Sequence, residues 1–185
     1  MISQTLRDAR KYEEAMEKKI DREKRPDFHL ASRVGWMNDP NGFSYYKGEY
    51  HLFYQYHPYD SHWGPMHWGH AVSKDLLHWE YLPAALAPDR DYDRDGCFSG
   101  SAVVLPDGRH LLLYTGVVRE TQPDGSMRDV QTQCAAVGDG RDYEKYAGNP
   151  VLTAADLPEG ASRFDFRDPK IWQKSDGSYR CVAGN

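Results

Sequence analysis

Three times along the chain, an alternating apolar run opens onto a tight turn and a second run, at intervals of about 60 to 70 residues. The first hairpin is Phe43–Tyr46, a Lys47-Gly48 turn and Tyr50–Tyr56; Trp68–Ser73 and His78–Leu82, joined by a turn near Lys74-Asp75, extend it. The second is Phe98–Val104, the turn Pro106-Asp107-Gly108 and Leu111–Gly116, with Asp129–Val137 as a third strand. The third is Asp168–Trp172, the turn Ser175-Asp176-Gly177 and Tyr179–Val182. Repeated antiparallel units of about four strands predict an all-β propeller, here about two and a half blades of it. A β-sandwich has short strands and frequent turns too. It would scatter the unusual residues that open each unit, whereas a propeller turns them all toward one axial pocket. The third unit stops at Asn185, directly after a strand. The expectation is an N-terminal part of a longer protein, because an unclosed ring leaves strand edges unpaired.

Ahead of the strands, Thr5 to Arg25 reads as a single helix, with Thr5 and Asp8 spaced as a weak capping box. Leu6, Ala9, Met16 and Ile20 share one face and charges of both signs cover the rest, the pattern of a helix laid on a larger body. Pro26 ends it. The domain expectation is therefore a helical segment over 1–27 and a strand-built body over 28–185.

Charge and composition exclude several partners. A net charge of −5 without a basic stripe argues against nucleic acid. No apolar run approaches the ~20 residues of a membrane span, and the N-terminus has no signal-peptide core. Cys97, Cys134 and Cys181 are isolated and odd in number, which fits reduced thiols in the cytoplasm. Subunit number is left open.

The chemistry concentrates in two aspartates. In Trp36-Met37-Asn38-Asp39-Pro40-Asn41-Gly42, the proline pushes Asp39 toward an extended backbone and Asn-Gly reads as a turn. Arg167-Asp168-Pro169 repeats that logic with a guanidinium alongside, which should keep the carboxylate ionised. Two ionised aspartates facing one pocket suit stabilisation of an oxocarbenium-like centre in glycoside hydrolysis. They also suit a hard metal, but no calcium-loop pattern is present. Asn38 and Gln55 offer amides for sugar hydroxyls, and Trp36 and Trp63 offer stacking faces. His57, His62, His67 and His70 cluster in sequence, yet their spacing matches no zinc motif, and loop or strand structure explains them better.

Trp36 to Gly42, Phe53-Tyr54-Gln55-Tyr56, Trp68 to Leu76, Phe98-Ser99-Gly100 and Arg167-Asp168-Pro169 occur in the order and context of glycoside hydrolase family 32. The resemblance runs from about Phe28 to the end, and the family comprises β-fructofuranosidases and sucrose-6-phosphate hydrolases. It implies a five-bladed propeller followed by a β-sandwich, a small sugar as partner, and no cofactor or metal. By motif it implies Asp39 as the nucleophile of a retaining reaction. Asp168, with Arg167 beside it, would hold fructose hydroxyls and stabilise the transition state. Asn38, Gln55, Trp63, Phe98 and Ser99 would line the fructose subsite. The helical N-terminus most resembles the bacterial sucrose-6-phosphate hydrolases. One feature departs from the family: its general acid/base is a Glu followed by Cys, and none of Glu49, Glu80, Glu120, Glu144 or Glu159 has that context. The catalytic set is incomplete, which keeps a vestigial sugar-binding fragment in view. A related arabinanase-type furanosidase is disfavoured by the Trp36–Gly42 string.

Overall fold

The computed structural model describes residues 2–26, 28–162 and 164–185. Helix α1 (Gln4–Glu17) precedes ten strands in three antiparallel sheets. The first sheet is a meander of β1 (Trp36–Tyr46), β2 (Glu49–His57), β3 (His67–Ser73) and β4 (Trp79–Leu86). The second repeats it with β5 (Gly96–Val104), β6 (His110–Thr121), β7 (Met127–Gly138) and β8 (Tyr143–Lys145). A two-stranded unit of β9 (Arg167–Gln173) and β10 (Tyr179–Gly184) follows.

Two local expectations fail for identifiable reasons. Asn41-Gly42 is not a turn. Strand β1 runs through it, with register shifts between Met37 and Pro40 and between Asn41 and Ser44. Gly42 supplies the positive φ of +55° that this bulged stretch needs, and a Cβ there would lie 2.6 Å from Phe53 Cδ2. The helix also stops at Glu17, well before Arg25, and starts from Ser3, whose Oγ accepts from Leu6 N at 3.1 Å. Asp21 is a second cap: it accepts from Glu23 N at 3.1 Å and starts a separate 3₁₀ turn at Arg22–Lys24. Strand β8 is absent from the sequence reading because three residues are too few to show alternation.

Helix α1 docks where Leu6 and Ala9 are buried, with Tyr54, Tyr56 and Ala84 in the core beneath. Its apolar stripe contains a carboxylate that periodicity did not anticipate. Glu13 is buried, accepts from Ala84 N at 2.9 Å and pairs with Arg33 at 3.1 Å; burial raises its carboxyl above the usual range despite these donors. One turn away, Arg10 Nε donates to Ala84 O at 2.9 Å. Both main-chain polar groups of Ala84, in edge strand β4, are thus taken by helix side chains.

Between the first two sheets lies a second core of Phe53, Trp68, Leu112 and Tyr114. His51, His70 and His110 are buried there, His70 stacking on Phe53 at 4.1 Å between centroids. Burial lowers all three imidazoles below their usual value, His110 to about 4. His67 and His70 are thus interior strand residues, while His62 is exposed in the β2–β3 loop. At the outer edge of the second sheet, Lys145 is buried against Asp89 at 2.6 Å and against Asp93, which also accepts from Tyr114 Oη at 2.7 Å. That ionic cluster fixes the short β8 to the chain leading into β5.

Candidate active site

Strand β1 packs beside β5, and β5 beside β9. The first strands of the three units therefore lie next to one another, and their opening residues face a common cavity of about 320 Å³. Its lining contains Asn38 and Asp39 from β1, Gln55 from β2, Trp63 and Met66 from the following loop, and Phe98 and Ser99 from β5. Asp129 and Gln131 from β7 and Arg167 and Asp168 from β9 complete it. Eight of the nine residues singled out from the sequence line this one space. Trp36 does not; it pairs with His57 at the end of β1.

Asp39 is oriented through its side chain. Ser99 Oγ donates to Asp39 Oδ2 at 3.1 Å. In the orientation that satisfies its neighbours, the Asn41 amide donates to Pro40 O at 3.1 Å and to Ser99 Oγ at 3.3 Å, and accepts from Gln55 Nε2 at 3.0 Å. Gln55 Nε2 also lies 3.0 Å from Cys97 O, to which it donates. An amide, a hydroxyl and a carboxylate form one chain ending on Asp39, so the Ser99 proton points at the anion. Phe98 is held through its backbone, accepting from Trp68 Nε1 at 3.0 Å, and Trp63 meets its ring edge-on at 6.3 Å. Trp63 remains 52% exposed, leaving a face free for a ligand. Gly100 allows the approach of β5 and β6 behind this wall, since a Cβ there would lie 2.0 Å from Leu113 O.

Asp168 is held through its backbone. Its φ is +57°, a left-handed conformation that a residue before proline rarely adopts. Thr115 Oγ1 accepts from Asp168 N at 3.0 Å and lies 3.1 Å from Gln133 Oε1; Gln133 Nε2 donates to Phe166 O at 2.7 Å. On the other side, Ser101 Oγ donates to Pro169 O at 2.7 Å and accepts from Ile171 N at 2.9 Å. Arg167 gives its best contact, 3.0 Å, to Asp165 and lies 3.6 Å from Asp168. The sequence reading gave Arg167 the last word on the charge of Asp168. Instead burial dominates and raises the Asp168 carboxyl, Arg167 opposes that, and Asp39 raises it further. Two carboxylates in mutual electrostatic reach are what a developing positive charge would find here.

Met66, Asp129 and Gln131 are the lining residues that sequence reasoning missed. The signal was present for two of them: Asp129, Gln131 and Gln133 alternate on one face of a predicted strand. Among the described residues, no cluster of His, Cys, Asp and Glu is arranged to hold a metal ion.

Residues 29–185 match the glycosyl hydrolases family 32 N-terminal domain. The chain belongs to glycosyl hydrolase family 32. It is 49% identical over 160 residues to a sucrose-6-phosphate hydrolase of Zymomonas mobilis, covering 85% of this chain and 30% of that protein. Against the raffinose invertase of Escherichia coli the identity is 51% over 162 residues, covering 86% of this chain and 32% of the other. A Bombyx mori β-fructofuranosidase mutant solved in complex with sucrose superposes with a TM-score of 0.85 at 44% identity. That match covers 99% of this chain and 37% of the silkworm one. The chain thus spans about a third of the length of these family 32 relatives. The two complete sheets are blades of the five-bladed propeller of family 32, and β9–β10 opens the next.

Proposed function

We propose that the chain is the fructosyl-binding part of a retaining family 32 hydrolase that cleaves the fructosyl bond of sucrose or sucrose 6-phosphate. The observation that carries this is the Ser99-held carboxylate of Asp39 sharing one cavity with Asp168. In this reading Asp39 attacks the anomeric carbon of the fructosyl unit, and the bond to the leaving oxygen breaks. Its electron pair stays on that oxygen, which takes a proton from a general acid. Water then hydrolyses the fructosyl ester with the proton flow reversed. Asp168 and Arg167 bind fructose hydroxyls and Asp168 offsets the positive charge of the transition state. Asn38, Gln55, Trp63, Phe98 and Ser99 shape the subsite, and the reaction needs no metal. The cavity lining contains no glutamate. We therefore place the general acid outside these 185 residues, read 28–185 as the N-terminal part of the propeller domain behind a helical segment over 1–27, and expect the chain alone to bind sugar without turnover. Buried, unpaired Cys97 and Cys134 suit a cytoplasmic protein.

The test is the anomeric configuration of the first-formed fructose, read by NMR in the protein at the length its gene encodes. Retention is expected, and an inverted anomer excludes Asp39 as nucleophile. Activity surviving exhaustive chelation is the parallel expectation, and loss restored by a metal would overturn the metal-free mechanism.

A further inference from the structure

Strand β7 supplies a wall of the cavity that no motif of the family reading uses. Asp129, Gln131 and Gln133 follow at period two on one face, and burial deepens along them. Gln133, fully buried, is satisfied at both ends by Thr115 Oγ1 and Phe166 O. Asp129, at the outer end, takes the Arg119 guanidinium at 2.9 Å. Between them Gln131 is only 4% exposed, lines the cavity, and has an Oε1 without a hydrogen-bond partner. A buried acceptor left in that state is uncommon and costly, and the residue that carries it is part of the cavity wall.

The motif residues on β1, β5 and β9, the first strands of their units, are already assigned to the fructosyl group. Strand β7 is the third strand of its sheet, and it carries none of the residues assigned to the fructosyl group. An amide oxygen with a carboxylate at its outer side asks for hydrogen-bond donors. Sugar hydroxyls supply them; a phosphate dianion has none and carries the wrong sign. Arg119 is committed to Asp129, and Arg167 to Asp165 and Asp168.

We propose that Gln131 is a specificity-determining residue that binds a hydroxyl of a neutral sugar leaving group, and that Asp129 beside it disfavours a phosphorylated one. This rests on the fructosyl-hydrolase reading and selects within it: sucrose is favoured over sucrose 6-phosphate, whose phosphate sits on the departing glucosyl unit.

The experiment uses the protein at the length its gene encodes and measures kcat and KM for both substrates, with inhibition by free fructose as the control. Gln131→Met, which keeps side-chain length without an acceptor oxygen, is expected to raise the KM for sucrose about three- to tenfold, the loss of one neutral hydrogen bond. Its fructose inhibition constant should stay unchanged. Gln131→Glu, which keeps an acceptor oxygen, should restore the sucrose KM. Asp129→Asn should narrow the preference for sucrose over its phosphate about threefold. An equal shift in fructose inhibition, an unaltered sucrose KM in Gln131→Met, or a wild type that prefers the phosphate overturns the proposal. A folding failure of Gln131→Met leaves Gln131→Glu and Asp129→Asn to decide by the same criteria. A wild type that releases fructose from neither substrate overturns the hydrolase reading as well.

Discussion

Asp39 and Asp168 both precede a proline and face the same cavity, yet the protein holds them by opposite means. Asp39 belongs to an 11-residue strand paired with β2, and its carboxylate is aimed by Ser99. Asp168 sits at the second position of a short strand, in a left-handed conformation pinned through main-chain atoms by Thr115 and Ser101. The first arrangement fixes the direction of a lone pair, as attack on carbon requires. The second fixes the position of a charge, as electrostatic stabilisation requires, while partial burial raises its carboxyl and Arg167 opposes that rise. The same dipeptide thus serves two demands, and the neighbouring elements decide which.

Substitutions should separate the two roles. The largest effect is expected from Asp39→Asn in the full-length enzyme: turnover of sucrose should fall by about 10⁴-fold or more with unchanged circular dichroism, since a nucleophile has no substitute. Asp168→Asn should cost about 10² to 10³ in kcat, the scale of one electrostatic contact to the transition state. Equal losses in the two variants would break the comparison. Glycine at each position sharpens it further. Asp168→Gly relieves the positive φ and should leave the melting temperature unchanged or raised. Asp39→Gly, inside a paired strand, should lose about 0.5–1 kcal/mol in chemical denaturation.

Ser99→Ala tests the aiming of Asp39 alone. It should lower kcat about tenfold with little change in KM, because a charge-assisted hydrogen bond is lost. An effect confined to KM would make Ser99 a binding residue only. The smallest effect concerns charge. Asp39 raises the Asp168 carboxyl, so Asp39→Asn should move the Asp168 titration, followed by carboxyl carbon NMR, to lower pH. A move to higher pH would show that the two side chains do not feel each other.

Much of this arrangement was legible in the sequence. Strand alternation and turn chemistry located nine of the ten strands, the exception being β8 at three residues. The inner strands converged as the repeat required, because each unit began with its polar, unusual residues. What could not be read was set by burial and tertiary context. Asp168 takes a backbone conformation that its own dipeptide disfavours, because Thr115, Ser101 and Gln133 supply the compensating bonds from three other strands. Glu13 looked like part of a solvated helix face until Arg33 and the Ala84 amide arrived from outside the helix. Gln131 and Asp129 were visible as alternation, but alternation alone does not tell which face meets a ligand.

The grip of α1 on Ala84 has a consequence for the protein in company. β4 ends the order of its sheet, and an outer strand with free main-chain groups is a template onto which another molecule can add its own strand. By occupying both main-chain polar groups of that residue with Arg10 and Glu13, the helix interrupts any such template partway along its length. A chain lacking residues 1–20 would present β4 bare, and its characteristic failure would be sheet-to-sheet polymerisation, visible as concentration-dependent light scattering.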